Sequence, residues 1–395
     1  MKKIQGRGKR SAIALLAVAA LVAACGGNGE DTAVDDTGDE AADAADDGAD
    51  DAADADVDDA EASGEDWAPV EVDTYADLTQ DSRSEGMYEP LESASEPWEV
   101  CVSFPHLQDA YWLGVNWGAA EQAEELGVDM TLVEAGGYEN LATQIQQIED
   151  CAQSADAVII GAIAFDGLNQ TVERLAADGK PVIDLINGIS SPELTAKSLV
   201  SFGEMATQAG DWLLNHTEGE EDVSVAWFPG PSGAGWAEAG NDGFNAAVEG
   251  SNINIVDTRY GDTGREAQAT LIEDALAADP DLDYIVGTAV TAEAAGPILR
   301  DRGLEDQVGV VAYYFSPGVY DGLDRGEILA APSDSPVIQA RIAVDLAVRA
   351  LEGEEHEVHV GPKLVMVDAD NIDEFPLRTT LPPDGFDPIF RVEAS

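Results

Sequence analysis

From Trp98 onward the chain alternates short apolar runs with stretches of helical period, and that alternation restricts it to βα units built around parallel sheets. Strands are expected at residues 98–104, 128–134, 157–162, 181–186, 198–202, 223–228, 253–259, 284–287 and 308–312. Helices fall between them. In the first, Trp112, Val115, Ala119, Ala123 and Leu126 recur at spacings of 3, 4, 4 and 3, which is one apolar face. The later ones are expected at 141–151, 167–177, 205–215, 235–248, 266–277, 292–300 and 338–351. So many parallel strands exceed one doubly wound domain, so the expected fold is α/β with two Rossmann-like lobes and a cleft between them. Residues 98–203 plus 333–362 are expected in the first lobe, and 204–332 plus 363–395 in the second. Residues 67–97 show little periodicity and read as an extended lead-in, while the Pro-rich stretch from 361 reads as a tail packed on one lobe.

The ends of the chain carry a different message. Lys2, Lys3, Arg7, Lys9 and Arg10 precede an uncharged run over 12–24 that is too short to cross roughly 30 Å of hydrocarbon. Residues 1–24 therefore read as a secretory signal. The run closes on Leu21-Val22-Ala23-Ala24-Cys25 followed by two glycines, a pattern that resembles the lipobox of bacterial lipoproteins, in which the cysteine is lipidated. Cys25 is then the anchor at a cell membrane; the alternative is an ordinary signal peptide with an incidental cysteine. Residues 25–66 hold Asp, Ala, Gly and Glu with no basic residue and, before residue 67, no aromatic, so they cannot bury enough to offset chain entropy. They read as an acidic tether extended by like charge.

Seventy-nine acidic residues stand against 19 basic ones, for a net charge of −60. That sign excludes a protein built to neutralise phosphates or anionic lipid headgroups. It suits a saline surrounding, where salt screens self-repulsion. Beyond Cys25 the cysteines are Cys101, in the first strand, and Cys151, at the end of the second helix. An exported chain sits where thiols oxidise, and a sheet order of 2-1-3 would carry that helix over that strand. A disulfide and two buried thiols are both compatible with these positions.

In open parallel sheets ligands sit beyond the carboxyl ends of the strands, and the residues there are unusually aromatic. They are Tyr111 and Trp112, Tyr138 after Gly136-Gly137, Phe202, Trp236, and the run Tyr313-Tyr314-Phe315. Asp166, Glu204, Glu293 and Asp334 are the acids nearby, and His106 follows the first strand. Aromatic faces bind cations through their ring quadrupoles and also stack on sugars. Catalytic motifs are missing: there is no G-x-S-x-G elbow and no phosphate loop of the Gly-x4-Gly-Lys kind. A secreted enzyme using Asp166, Glu293 and Asp334 as acid and base is the alternative, betrayed by turnover of a bound ligand. His356 and His359 within Glu355-His356-Glu357-Val358-His359 have metal-like spacing, but no third ligand is near in sequence, so neither a metal nor a cofactor is expected.

Residues 103–118 (Ser-Phe-Pro-His-Leu-Gln-Asp-Ala-Tyr-Trp-Leu-Gly-Val-Asn-Trp-Gly), with 134–138 (Glu-Ala-Gly-Gly-Tyr) and 283–287 (Asp-Tyr-Ile-Val-Gly), resemble the type I periplasmic binding proteins. Their pattern is most similar to the TorT-like, trimethylamine N-oxide-binding branch, which Cys101 and Cys151 also match. The resemblance covers about residues 98–372. It implies two lobes joined by three crossovers near 203, 332 and 362, closing on a ligand by hinge motion. It implies an aromatic cage carried onto Tyr111, Trp112, Tyr138 and Tyr314. One element departs: a Trp-containing aromatic segment of the family is Phe202-Gly203-Glu204 here, which adds a carboxylate and is expected to favour a ligand of full positive charge. The implied role is extracytoplasmic capture of a small polar or cationic solute, or a sugar, for an ABC-type permease or a sensor kinase.

Overall fold

Parallel strands are covered on both faces, so they read as short continuous apolar runs rather than as alternations. The computed structural model describes residues 67–79 and 82–394, and the signal segment, Cys25 and the whole of the tether lie outside the described residues. The chain begins with β1 (Val70–Tyr75) and β2 (Arg83–Tyr88), then β3 (Glu99–Phe104), α1 (Tyr111–Leu126), β4 (Asp129–Glu134), α2 (Leu141–Cys151), β5 (Ala157–Ile160), α3 (Asn169–Ala177), β6 (Val182–Leu185) and β7 (Ala196–Ser198). It continues with α4 (Phe202–His216), β8 (Val223–Gly230), α5 (Gly235–Val248), β9 (Ile253–Tyr260), α6 (Arg265–Ala278), β10 (Tyr284–Gly287), α7 (Ala289–Arg302), β11 (Gly309–Ala312) and α8 (Pro317–Asp324). Last come β12 (Ala330–Ser333), α9 (Pro336–Glu352), β13 (His359–Pro362), β14 (Val365–Asp368) and β15 (Arg391–Val392).

Two sheets result. The first has the order β15-β4-β3-β5-β6-β7-β13-β1-β2 and the second β14-β12-β11-β10-β8-β9. The chain passes from the first to the second between β7 and α4, returns between β12 and α9, and crosses again between β13 and β14. A further pass along 369–390 brings β15 back to pair antiparallel with β4. The tail expected on the second lobe is therefore divided: β14 pairs with β12 there, whereas β15 closes an edge of the first sheet.

Three expectations change for local reasons. The lead-in is not plain extended chain: β1 and β2 form an antiparallel hairpin, and β1 pairs with β13. Its alternation is brief and mostly polar, too weak to register beside the apolar runs. The strand expected at 198–202 ends at Ser198 and Phe202 opens α4, because Ser201 caps that helix, its hydroxyl accepting the Glu204 N–H at 3.2 Å. Ser201-Phe-Gly-Glu204 has the capping-box spacing. Helix α8 is an addition, started by the Ser316 cap and Pro317.

Helix packing draws on glycine. A Cβ on Gly118 of α1 would stand 2.3 Å from the Val337 carbonyl oxygen of α9, and one on Gly243 of α5 would stand 2.1 Å from the Gly203 carbonyl oxygen of α4. No side chain fits at either crossing.

In the first sheet β3 lies between β4 and β5, the 2-1-3 order, and α2 packs on β3. Cys101 and Cys151 are joined there in a disulfide, with Cα atoms 6.0 Å apart at a sequence separation of 50. In the chain-entropy account a loop of that length stabilises by about 4 kcal/mol. Replacing both cysteines with alanine should lower the unfolding free energy by up to that amount and bring the denaturation midpoint to the value the parent protein shows in reductant; an unchanged midpoint would show that the crosslink adds nothing.

Candidate functional site

The loop between β3 and α1 supplies one wall of the cleft. His106 is fully buried, and its Nδ1 accepts the Gln108 N–H at 3.1 Å, which leaves the proton on Nε2 to reach the Thr263 hydroxyl of the other lobe at 3.0 Å. Burial lowers the imidazole to about 4, so it is neutral at ordinary pH. Asp109 follows. Its Oδ1 accepts the Tyr111 N–H at 3.0 Å, and its Oδ2 accepts the Tyr314 hydroxyl at 2.6 Å across the cleft. Burial pushes this carboxyl up to about 7, against the opposing pull of those hydrogen bonds.

Tyr111 opens α1 and donates its hydroxyl to Asp334 Oδ2 at 2.7 Å. Asp334 follows the second lobe's β12 at the return crossing, which turns through Ser335 at φ 52°. Gln339 donates to the same oxygen at 2.6 Å, whereas Oδ1 of Asp334 is buried without a hydrogen-bond partner. Burial raises this carboxyl also.

Tyr138 stands beyond β4, on a turn made by Gly136 at φ 84° and Gly137 at φ 147°, a backbone that favours glycine. Its N–H donates to Asp262 of the second lobe at 3.1 Å. Its hydroxyl accepts from Asn187 at 2.9 Å and from the Trp236 indole at 3.1 Å, and its own proton has no acceptor among the described residues. Asn187 follows Ile186, a β-branched residue at φ 70°. Such a backbone costs about 1–3 kcal/mol and is retained where the surroundings over-determine it.

The rings close on one another. Centroids of Tyr111 and Tyr314 lie 5.4 Å apart at 78°, of Phe202 and Trp236 5.2 Å apart, of Tyr138 and Trp236 5.9 Å apart, and of Trp236 and Tyr314 6.0 Å apart at 89°. With Trp112 and the polar side chains of Asp109 and Asn187 they line a cavity of about 10 Å3, no more than one water needs. No basic side chain lines it. In this closed arrangement any larger guest must part the lobes or turn a ring.

Tyr111, Trp112, Tyr138, Phe202, Trp236 and Tyr314 thus meet in one cavity, and Asp334 touches it through Tyr111. The other acids stand elsewhere. Glu204 faces the Arg83 guanidinium at 3.2 Å on an exposed surface, so the carboxylate expected beside a bound cation is a helix-terminal ion pair instead. Asp166 accepts from the Ser190 hydroxyl in an exposed loop, and Glu293 accepts from Ser316, both at 2.6 Å. Asp166, Glu293 and Asp334, weighed as acid and base, form no common centre. His359 stacks on Tyr75 with centroids 4.4 Å apart while His356 is only partly buried, and no metal-holding cluster exists among the described residues. Tyr313 and Phe315 are core: Tyr313 bonds the Pro229 carbonyl and Phe315 packs on Phe375.

Sequence reasoning passed over Asp109 and Asn187. Asp109 had a signal, as the lone acid between the first strand and the aromatic start of α1. Asn187 had none beyond following an apolar run.

A buried carboxyl near 7 has a stability signature. Its native pKa lies above the unfolded value near 3.8, so the native state holds the extra proton and stability from this group falls as pH rises from about 4 to about 7, then levels. The buried histidines work in the opposite sense over part of that range, so the comparison is with Asp109→Asn. The stability of that variant relative to the parent should increase with pH up to about 7; a pH-independent difference in urea midpoints would contradict the burial assigned to Asp109.

The sequence profile of the periplasmic binding protein domain matches residues 100–355. The periplasmic protein TorT of Escherichia coli (strain K12) is 38% identical over 304 residues, which cover 76% of this chain and 86% of TorT. Among solved structures, an ABC transporter solute-binding protein of Bradyrhizobium sp. BTAi1 with bound Bis-Tris is 55% identical, over 83% of this chain and 100% of that one, with a TM-score of 0.72. The complex of the TorS sensor domain with TorT in the presence of TMAO matches at 31% identity, over 74% of this chain and 99% of that one, with a TM-score of 0.68.

Proposed function

The chain belongs to the periplasmic binding protein family, a family of extracytoplasmic, non-enzymatic solute receptors, and on that premise we propose that it captures a small amine of positive charge or methylated nitrogen. One observation carries the reading: aromatic faces from both lobes and the buried Asp109 carboxyl meet in a single cavity that no basic side chain lines. Ring faces attract an alkylammonium by about 0.5–2 kcal/mol each, and the neighbouring carboxyl, costly to ionise alone, becomes its counter-ion. Bis-Tris, held by the Bradyrhizobium relative, is a tertiary amine carrying hydroxyl groups, which fits the same chemistry. The free hydroxyl proton of Tyr138 supplies a donor for an amine-oxide oxygen, the group that distinguishes trimethylamine N-oxide from a plain ammonium ion.

Binding is coupled to closure. Asp109 and Tyr111 belong to the first lobe, Tyr314 to the second, and Trp236 reaches Tyr138 from the second as well. A guest that touches both lobes favours the closed form by its differential affinity. The loaded form is read by a membrane partner. A permease of the ABC type suits a tethered receptor and the role of the Bradyrhizobium relative as an ABC transporter solute-binding protein; a sensor kinase is the alternative, after the TorS–TorT complex.

Thermal shift in high salt against choline, glycine betaine, trimethylamine N-oxide, Bis-Tris and sugars tests the reading, since a ligand raises stability as RT ln(1 + [L]/Kd). A shift with the amines and none with sugars is expected; a shift with a sugar alone reassigns the rings as stacking platforms. Asp109→Asn should weaken choline binding at pH 8 at least about tenfold, the scale of losing a charge-assisted contact in a dry site. Equal affinity in the variant would remove Asp109 from the site. For the proposed anchor, Cys25→Ala should move the protein from the membrane fraction to the soluble one, and an unchanged distribution would refute lipidation at Cys25.

A further inference from the structure

The cage has a neighbour. A cavity of about 220 Å3 lies against it, and Asn187, Phe202 and Trp236 are walls of both. Its mouth is at Phe165 and Ala239, both exposed, and its depth is lined by Leu199, Lys197 and His359.

Lys197 gives the space a polarity. It is 8% exposed, and its ammonium donates to the Ile189 carbonyl at 2.9 Å and lies 3.5 Å from Asp184 Oδ2. An ammonium has three protons, so a donor remains beyond these two partners. His359, whose ring lies 3.2 Å through Nδ1 from the Thr79 carbonyl, is held neutral by burial and brings no second charge. The cage thus carries a carboxyl and the chamber an ammonium, the latter beside Asp184, and two aromatic side chains separate the two cavities. Since the cage itself holds about 10 Å3, substituents on a nitrogen seated there enter the chamber once Phe202 or Trp236 turns.

We propose that the chamber is a second subsite for the same ligand, an inference that rests on the cage reading above: the cage holds the ammonium head, and a short aliphatic tail ends in a carboxylate at Lys197. The ligand class is then a zwitterion with a spacer of a few carbons between its charges, not a bare methylated amine. The spacer meets Phe202, Trp236 and Leu199, and the carboxylate meets the one buried ammonium lining either cavity.

The test is calorimetric titration of the purified protein with tetramethylammonium, which is head alone, and with 4-(trimethylammonio)butanoate, which adds the tail. The butanoate should bind at least about tenfold tighter, as a charge-assisted contact shielded from water provides. In Lys197→Gln that ratio should fall to about threefold or less. Because this change leaves Asp184 without its cation, Ala239→Phe, which fills the mouth of the chamber from an exposed helix position, reads the same ratio independently and should also collapse it. Equal affinity of the two probes in the parent protein, or a ratio that survives both substitutions, would overturn the subsite and leave the cage standing. Binding of neither probe would overturn the cage reading and the subsite with it.

Discussion

The hydrogen bond from the Tyr314 hydroxyl to Asp109, 2.6 Å long and fully buried, is the contact around which the closed cleft is organised. A carboxyl removed from water needs donors, and here one comes from its own helix start and the other from the opposite lobe. Tyr111 and Asp334 make the complementary arrangement, with the tyrosine on the first lobe and the carboxylate at the return crossing. Opening the cleft exchanges both contacts for water. Closing it dries them, and strengthens any charge that enters with a matching partner. A pair of buried carboxyls held by tyrosines and faced by rings is thus costly to ionise by itself, a cost that the proposed cationic ligand would offset.

The crossings between lobes limit how this closure can proceed. Ser201 caps α4 where the chain leaves the first sheet, and Ser335 takes a left-handed turn where it returns. Beside them the β1–β2 hairpin lays ionic contacts on the hinge: Arg83 meets Asp73 and Glu204, and Lys363, in the third crossing, meets Asp73 and Glu85. Apart from Asp73, which is buried, and Lys363, which is 27% exposed, these groups are about half-exposed or more, so salt screens much of the network. For a chain of net charge −60, the placement of scarce cations at the hinge and beside the cage is informative. Repulsion among the many acids opposes compaction, and Arg83, Lys363 and Lys197 oppose it back where the lobes meet.

Much of this was legible in the sequence because parallel βα units announce themselves by period. The strand ends, and with them Tyr111, Trp112, Tyr138, Trp236 and Tyr314, were legible for the same reason: topology fixes where a strand's carboxyl end points. Phe202 reached the cavity by another route, as the first residue of a capped helix rather than the last of a strand. Glu204 read as a ligand because its neighbour was one; the capping spacing from Ser201 already assigned it to a helix start, and helix periodicity then turns it outward. Asp109 and Asn187 were missed because a single polar residue in a loop has no periodicity, and its burial depends on what the opposite lobe brings. The hairpin at 70–88 and the return of β15 were hidden in polar, irregular sequence whose pairing is set by distant strands.

The central claim is that Asp109 is the counter-ion of a bound nitrogen cation, and the carboxyl carbon resonance of Asp109 followed against pH by nuclear magnetic resonance tests it most directly. Without ligand the carboxyl should titrate near 7. With saturating choline its midpoint should move down by at least one unit, the ligand's charge holding the carboxylate ionised. A midpoint that stays in place while choline is bound would contradict the account.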